Sequence, residues 1–419
     1  MIQGNPYLIN AIRDRFAHVD ACPFQGPRIF FENAGGALTL KSVVETSGFY
    51  AAIPDNPGRM NPAGQGTQNV IAQAKEDLSV FMNASSGQFF VGETGTALIF
   101  RMVRTVAVNL AKDSKVISSS IEHPATRSAA DRWAEVAGLE HVIVPHNDAT
   151  GLVTADDYAA VMTPDIRLAT ILHASPVTGM GMDVAAIAHA IRAVSPECFI
   201  IVDGIQHAAH GQVDLDSYGV DGYAISPYKC FSRHGYGIAW ISDRLTALPH
   251  DQLMNAPADG WEFGTRDAGS YATMSDVVAY FDWLGGEVSA EEDRRARIEA
   301  AGRAIHAYES HLTPAMIHGT GNLPGLADME HVTILAGEDN PAREGLVSVV
   351  VNGTPSEEVV ETLNTQGIRT HTRKADHYSG NVLTPLGLSD CVRISLCHYN
   401  TEGEVAQLLG AIKAMDKAG

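Results

Sequence analysis

The sequence predicts an α/β fold, a mostly parallel sheet with helices on both faces followed by a smaller α+β domain. Three observations carry that expectation. Runs such as Cys198-Phe199-Ile200-Ile201-Val202 and Leu168 to Leu172 are continuously apolar and rich in branched side chains, as in strands buried on both faces. They alternate with helical patterns such as Val184 to Val194, the order of a sheet covered by crossover helices. The strand Phe89-Phe90-Val91 passes through Gly92-Glu93-Thr94-Gly95-Thr96 into a helix from Ala97; such a helix start offers unpaired N–H groups and a favourable dipole to an anion.

The remaining elements follow in order. A helix is expected from Pro6 to Val19, then a strand from Arg28 to Phe31 that enters the turn Asn33-Ala34-Gly35-Gly36. Asp55 to Thr67, rich in Pro, Gly and Asn, reads as a loop, with a helix from Asn69. The strand Lys115 to Ser119 runs into Ser120-Ile121-Glu122-His123-Pro124, and His141 to Val144 reads as an edge segment before a helix from Ala155. A long helical pattern covers Ser270 to Leu312, with a break expected at Gly285-Gly286. The last third, with a strand at Leu346 to Val351 and a helix at Ser356 to Thr365, reads as the smaller domain.

Composition limits the function classes. A chain of 419 residues can bury a large core and a second, smaller one. Its formal charge of -20 opposes nucleic acid and anionic membranes, whose phosphates call for clusters of Lys and Arg. The opening MIQGNPYLINAIRDRF has no apolar core flanked by basic residues, and no run approaches a membrane span. Cys22, Cys198, Cys230, Cys391 and Cys397 form neither a disulfide framework nor a C-x-x-C pair. The expectation is a cytoplasmic, reduced protein.

Two charged residues stand where chemistry usually happens. The run CFIIV ends on Asp203, and a second run, Gly222 to Ile225, delivers Lys229 just beyond its end; in parallel sheets ligands lie outside the carboxyl ends of the strands. A carboxylate beside a pyridine nitrogen and a lysine amine for an aldehyde are the two groups that pyridoxal phosphate requires of a protein. The carboxylate keeps the ring nitrogen protonated, and desolvation strips the amine of its proton. Taken singly, Asp203 reads as a turn or helix cap and Lys229 as a solvated cation. His207 and His210 are spaced for one helix face, but no third ligand accompanies them and no metal is expected.

The surrounding segments are more specific together. Phe30-Phe31-Glu32-Asn33-Ala34-Gly35-Gly36, Asp203-Gly204-Ile205-Gln206, Ser226-Pro227-Tyr228-Lys229 and Arg393-Ile394-Ser395-Leu396-Cys397-His398-Tyr399-Asn400-Thr401 occur in that order. They resemble the class V aminotransferase family, the branch of fold-type I pyridoxal-phosphate enzymes that holds cysteine desulfurases, selenocysteine lyases and isopenicillin N epimerases. The resemblance implies a seven-stranded sheet in a large domain at 29–285, a small domain at 286–419 and a segment, 1–28, packed with the small domain. Lys229 would be the covalent anchor and α-proton acceptor, Asp203 the partner of the ring nitrogen and His123 the ring stacked on the cofactor. Thr94, Gly95 and Ser226 would hold the phosphate, and Gln206 would reach the phenolic oxygen. Tyr228 stands where desulfurases have a His; its hydroxyl would bind phosphate or relay a proton, or its ring would simply pack. Thr265, in Trp261-Glu262-Phe263-Gly264-Thr265-Arg266, would cross to the partner's phosphate in a homodimer. Ala34 and Gly35 would border the substrate, Arg393, expected at the start of a strand, would bind its α-carboxylate, and His371 with Arg373, His377 and Tyr378 would tune side-chain choice.

Three departures qualify the likeness. One phosphate-binding hydroxyl is missing beside Thr94 and Gly95. Pro176 stands where desulfurases carry an Asn that bonds the phenolic oxygen, leaving Ser175 or Thr178 to substitute. The loop expected after the Gly367-Ile368 pair, running to Tyr378, contains no cysteine, and Asp376 falls about where the sulfur-accepting thiol would stand; a carboxylate cannot take the sulfur. Cys230, beside the lysine, is read as packing on the opposite side of its strand. The resemblance thus implies a desulfurase-like carbon–sulfur lyase, working by β-elimination on an amino acid without a persulfide step. An aminotransferase, or an epimerase using His123 or Tyr228 as its second proton-transfer group, is the alternative on the same scaffold. A catalytically silent binding protein is the alternative of another class.

Overall fold

The computed structural model describes residues 1–416. Its larger sheet has seven strands: β1 (Gln88–Gly92), β2 (Lys115–Ser119), β3 (Glu140–Val144), β4 (Ile166–Leu172), β5 (Phe199–Asp203), β6 (Gly222–Ile225) and β7 (Gly237–Ile241). They lie in the order β1-β7-β6-β5-β4-β2-β3. Only β7 runs antiparallel to its neighbours. The chain steps outward from β2 to β3 and then returns to β4 on the other side of β2. The strand order therefore reverses between β2 and β4, where sheets of this kind open a crevice for ligands.

Side chains alternate between the two faces, as a period of two requires. Phe90, Leu168, Ile201 and Ala224 pack on one face under α4 (Gly95–Asn109) and α5 (Pro124–Ala137). Val91, Ile171, Val202 and Tyr223 face the other core, shared with α3 (Pro62–Met82), α7 (Val184–Val194) and α8 (Ala268–Val288). Removing the fully buried Ile201 side chain beyond Cβ would cost about 2–5 kcal/mol through the cavity left behind. Helix starts are fixed by side-chain caps: Thr94, His123 and Asp183 each accept an N–H from the first turn of α4, α5 and α7.

The second sheet is antiparallel, with strands β8 (Val332–Ile334), β9 (Leu346–Val351), β10 (His371–Lys374) and β11 (Asp390–Ser395) in the order β8-β9-β11-β10. Next to it lie α10 (Ser356–Thr365) and α11 (Glu402–Lys413), the latter opened by a reciprocal Thr401–Glu404 cap. The long helix α9 (Arg294–His318) packs against α8 and α11, while α2 (Lys41–Ala51) packs against α8 and α6 (Ala155–Val161) against α7. Near the start of the chain, Arg13 donates to the carbonyl of Tyr399 (2.5 Å) and pairs with Glu404 (3.1 Å). The Ile29 N–H donates to the Gly367 carbonyl at 2.8 Å. No helix among the described residues is long and apolar enough to cross a membrane.

Four sequence expectations are corrected. The first helix, α1 (Pro6–Arg13), stops short of Val19 because Phe16 leaves it to pair with Leu40 and to pack on Phe231 and Tyr399. The expected loop at 55–67 ends at Asn61, whose side chain caps α3 at Gly64 with Pro62 in the first position. The break between α8 and α9 falls at 289–293, not at Gly285-Gly286. A Cβ on Gly285 would lie 2.0 Å from the Arg297 carbonyl oxygen, so the glycine permits a close helix crossing and not a break. Part of the expected loop after Ile368 is strand β10, because it pairs with β11 from His371↔Arg393 to Lys374↔Asp390.

Candidate active site

The carboxyl ends of β1, β2, β4, β5 and β6 bring together most of the residues singled out above. Asp203 closes β5 and is buried. Its Oδ1 accepts the Ile205 N–H at 3.1 Å and its Oδ2 the Thr126 hydroxyl at 3.0 Å. Burial pushes its pKa up, against those two hydrogen bonds and Lys229. Lys229 ends the single 3-10 turn Pro227–Lys229 that follows β6. Its Nζ donates to Gln206 Oε1 at 3.1 Å. Burial, together with Arg393 and Arg373 and against Asp203, lowers its pKa to about 7, so a large share of the amine is free of its proton near neutrality.

His123 caps α5, its Nδ1 accepting the Ala125 N–H at 3.2 Å. That bond leaves the ring proton on Nε2. Burial, then the charges of Lys229 and Arg373, lower its pKa to about 3, so the ring is neutral and a weak base at pH 7. Glu122, beside it, is fully buried; Oε1 accepts the Leu172 N–H (3.0 Å) and the Ser119 hydroxyl (3.2 Å), and Oε2 has no partner. Burial and the nearby Asp203 carboxylate raise its pKa to about 8. Of the two carboxyls, Glu122 is thus the one that stays protonated, while Asp203 has a hydroxyl and a backbone N–H to hold a charge.

Ser226 follows β6 and is buried. A Cβ on Gly95 would lie 2.5 Å from Ser226 Oγ, so the serine hydroxyl sits directly against the N-terminus of α4. Thr94 Oγ1 accepts the Ala97 N–H at 3.0 Å, which leaves its hydroxyl proton as a donor. This pocket of hydroxyls and unpaired helix N–H groups suits a phosphate. Tyr228 lies nearby, its ring stacked on His234 with centroids 4.3 Å apart and pressed toward Gly36. Gln206 spans from Lys229 to His210, with Nε2 3.4 Å from His210 Nε2.

Across the crevice stands Arg393, buried in the fourth position of β11 and not at its start. Its Nη1 donates to the Pro176 carbonyl at 3.1 Å, its Nε has no partner, and a Cβ on Gly35 would lie 3.3 Å from Nη2. Burial and Arg373 lower its pKa to about 10. A buried guanidinium left with unmade hydrogen bonds, and with no acid within ion-pair distance among the described residues, has the donor geometry that suits a planar carboxylate. His371 Nδ1 lies 3.4 Å from Glu32 Oε1. Burial, Arg393 and Arg373 lower the His371 pKa to about 4, so the contact is between a neutral ring and a carboxylate and not an ion pair.

Ala34, Cys230 and the His207–His210 pair depart from the sequence reading. Ala34 is buried with its N–H given to Ser395 Oγ (2.9 Å), so of the pair only Gly35 is open toward Arg393. Thr265, whose expected role lies in a partner subunit, is exposed beside Tyr50, Asp55 and Asn56. Ser175 Oγ accepts the Val177 and Thr178 N–H groups, and Thr178 Oγ1 that of Met180. Both hydroxyl oxygens thus hold their own turn, and each hydroxyl proton is left as a donor. Asp376 is exposed and caps a turn through the Tyr378 N–H (2.8 Å). Cys230 lies on no strand; it follows the Lys229 turn, buried, its pKa pushed to about 12. His207 and His210 diverge to separate carboxylates, Glu344 (2.6 Å) and Glu309 (2.8 Å). Contrary to the sequence reading, His210 does find two further ligand-type groups, Glu309 and Cys397, within 4.8 Å; His210 and Glu309 bond each other directly. Sequence reasoning gave no role to Glu122, Thr126 or Pro176. Thr126 is one helical turn beyond His123, a spacing that could have flagged it.

For pyridoxal phosphate the residues present fit. A buried carboxyl, an amine with a depressed pKa, an anion pocket at a helix start and an unsatisfied guanidinium surround one crevice.

The chain is similar to known proteins over most of its length. The family described as aminotransferase class-V matches residues 29–254 and 303–408. The cysteine desulfurase-like protein ustD of Aspergillus flavus is 26% identical over 91% of this chain and 85% of its own. The aminotransferase-like protein FGM3 of Gibberella zeae is 24% identical, covering 98% of this chain and 99% of its own. Among solved structures, the apo cysteine desulfurase of Thermococcus onnurineus superposes with a TM-score of 0.80 at 19% identity, over 94% of this chain and 95% of that one. That likeness bears out the fold-type I architecture.

Proposed function

The chain belongs to the class-V aminotransferase family, a family of pyridoxal-phosphate enzymes that act on amino acids, and on that footing we propose that it binds pyridoxal phosphate itself. We read its reaction as a desulfurase-like β-elimination that breaks a carbon–sulfur bond without a persulfide step. The observation that carries the cofactor is the pairing at the ends of neighbouring strands β5 and β6: a buried Asp203 fixed by two hydrogen bonds, and a Lys229 amine with its pKa near 7.

When bound, pyridoxal phosphate supplies an electron-withdrawing ring that stabilises negative charge at the substrate α-carbon. Asp203 would bind the ring nitrogen, His123 would cover the ring face, and Thr94, Gly95 and Ser226 would hold the phosphate at the start of α4. Lys229 would be the covalent anchor and then the base that takes the α-proton, oriented by Gln206. Arg393 would hold the α-carboxylate, and Gly35 would leave room beside it. With no cysteine in 367–378, sulfur would leave as a free species and not pass to the protein.

An aminotransferase is the second reading; the same missing cysteine supports it equally. An epimerase is less well served, because the depressed His123 pKa makes that ring a poor second base. We also read 29–285 and 286–419 as the two domains, with Thr265 crossing to a partner in a homodimer. The exposed Val44, Phe49, Met60 and Met254 support a covered face. Five free cysteines support a cytoplasmic setting. Product analysis with a panel of thiol, thioether and selenium amino acids tests the reaction. Keto acid with sulfide supports the lyase, a new amino acid the aminotransferase and an inverted stereocentre the epimerase. A protein that binds the cofactor but turns over nothing would point to a silent fold.

A further inference from the structure

Arg373 lies on the edge strand β10, two residues from His371 and therefore on the same face. His371 pairs with Arg393, and Arg373 with Cys391 two residues before it. Arg373 and Arg393 are thus diagonal neighbours across two strands, near enough for both side chains to reach one ligand. That face of the small sheet meets the carboxyl end of β4, where Arg393 binds the Pro176 carbonyl and Ser348 the Val177 carbonyl.

The two guanidiniums are compensated only at a distance: Glu32 acts on Arg393 without an ion-pair contact, and the Arg373 guanidinium lies 5.7 Å from the centre of the Tyr378 ring. Arg373 spends Nε on Ser379 Oγ (2.8 Å), and its Nη1 and Nη2 make no hydrogen bond among the described residues. Neither arginine has an acid within ion-pair distance among the described residues, where 25 such contacts occur. The carboxylate that weighs most on Arg373 is Asp376, which is exposed and tied into its own turn. Their mutual repulsion is felt at Arg393, Lys229 and His371, each held below its usual pKa in part by an arginine. In a chain of formal charge -20, such a cationic crevice is local and not a general property of the surface. One α-carboxylate answers Arg393 and leaves Arg373 unmatched. The phosphate pocket at Gly95 and Ser226 belongs to the other sheet.

We propose that Arg373 selects the substrate: an α-amino acid whose short side chain ends in a second oxyanion, a carboxylate or a sulfinate, bound by Arg373 while Arg393 holds the α-carboxylate. This rests on reading the crevice as an amino-acid site. A sulfinate would still have its carbon–sulfur bond broken, but with sulfur leaving as sulfur dioxide and the bonding electron pair staying on the β-carbon, which then takes a proton, and not by the β-elimination above; a carboxylate would move the chain away from sulfur substrates.

Two experiments test it. With protein loaded with pyridoxal phosphate, the visible spectrum is titrated with aspartate, cysteine sulfinate, asparagine and alanine. The expected result is that at least one acidic amino acid binds about 100-fold more tightly than asparagine or alanine, and which one names the oxyanion. Arg373→Gln is expected to erase the difference and Arg373→Lys to retain part of it. Equal binding of aspartate, cysteine sulfinate and asparagine, or an acidic preference that survives Arg373→Gln, would overturn the proposal. Calorimetry with succinate and butyrate needs no reaction and no cofactor. Succinate is expected to bind where butyrate does not, and equal binding overturns the proposal even if the protein takes up no pyridoxal phosphate. Failure to load the cofactor would defeat the reading of the site; loading without acidic preference would defeat only the role of Arg373.

Discussion

The two walls of the crevice solve opposite electrostatic problems. On the wall made by the ends of β2, β5 and β6, buried carboxyls are held by neutral donors: Asp203 by Thr126 and the Ile205 N–H, Glu122 by Ser119 and the Leu172 N–H. On the wall made by β10 and β11, the cations Arg373 and Arg393 have no acid within ion-pair distance and Arg393 Nε has no hydrogen-bond partner among the described residues. The wall whose carboxyls are anchored by neutral donors is preorganised to position a group that stays, with only Glu122 Oε2 left over, and the wall of cations to receive one that comes and goes.

Substitutions that attack each wall should separate these roles. The largest effect belongs to Lys229→Ala, which is expected to lower amino-acid turnover by at least about 10³-fold, as loss of both anchor and base requires; steady-state rates check it. Asp203→Asn should follow, with kcat down about 10²–10³-fold and KM little changed, because the lost charge acts on the ring and not on substrate affinity. Arg393→Gln should do the reverse, raising KM about 10–100-fold, the worth of charge-assisted hydrogen bonds to a carboxylate. If both changes moved kcat and KM alike, the two walls would not differ in function.

Two pH effects are smaller. The rate of pyridoxal-phosphate uptake should rise with pH through about 7, where Lys229 loses its proton, and fall about tenfold for each unit below that value; stopped-flow absorbance checks it. Glu122 has its folded-state pKa raised from 4.5 to about 8. The folded protein therefore holds a proton that the unfolded chain releases above its own, lower pKa. Its contribution is full below 4.5, declines as pH rises and levels off above about 8. Glu122→Gln should therefore gain in Tm relative to the parent between pH 5 and pH 8, and a constant difference across that range would contradict a protonated Glu122.

How far each wall was legible follows from how it is assembled. Asp203, Ser226 and Lys229 sit within or just after continuous apolar runs, so local pattern located them. Strand limits such as Lys115–Ser119 and helix limits such as Val184–Val194 were equally local. Glu122 and Thr126 acquire their meaning only when β4 and β5 lie beside β2, contacts of 50 and 77 residues' separation that no window contains. Arg373 was legible only as one of four polar residues that would together tune side-chain choice, because pairing with β11 is what puts it in line with Arg393. The start of α3 was hidden by Pro and Gly composition, although Asn61-Pro62 is itself a cap and first-turn signal.

The central claim, that Lys229 and Asp203 form one cofactor site, meets its most direct test in a covalent trap. The purified chain is incubated with pyridoxal phosphate, reduced with borohydride, digested and read by mass spectrometry. The expected result is one cofactor mass on the peptide bearing Lys229, and a much weaker signal in Asp203→Ala. Label on other lysines alone, or none at all, would contradict it.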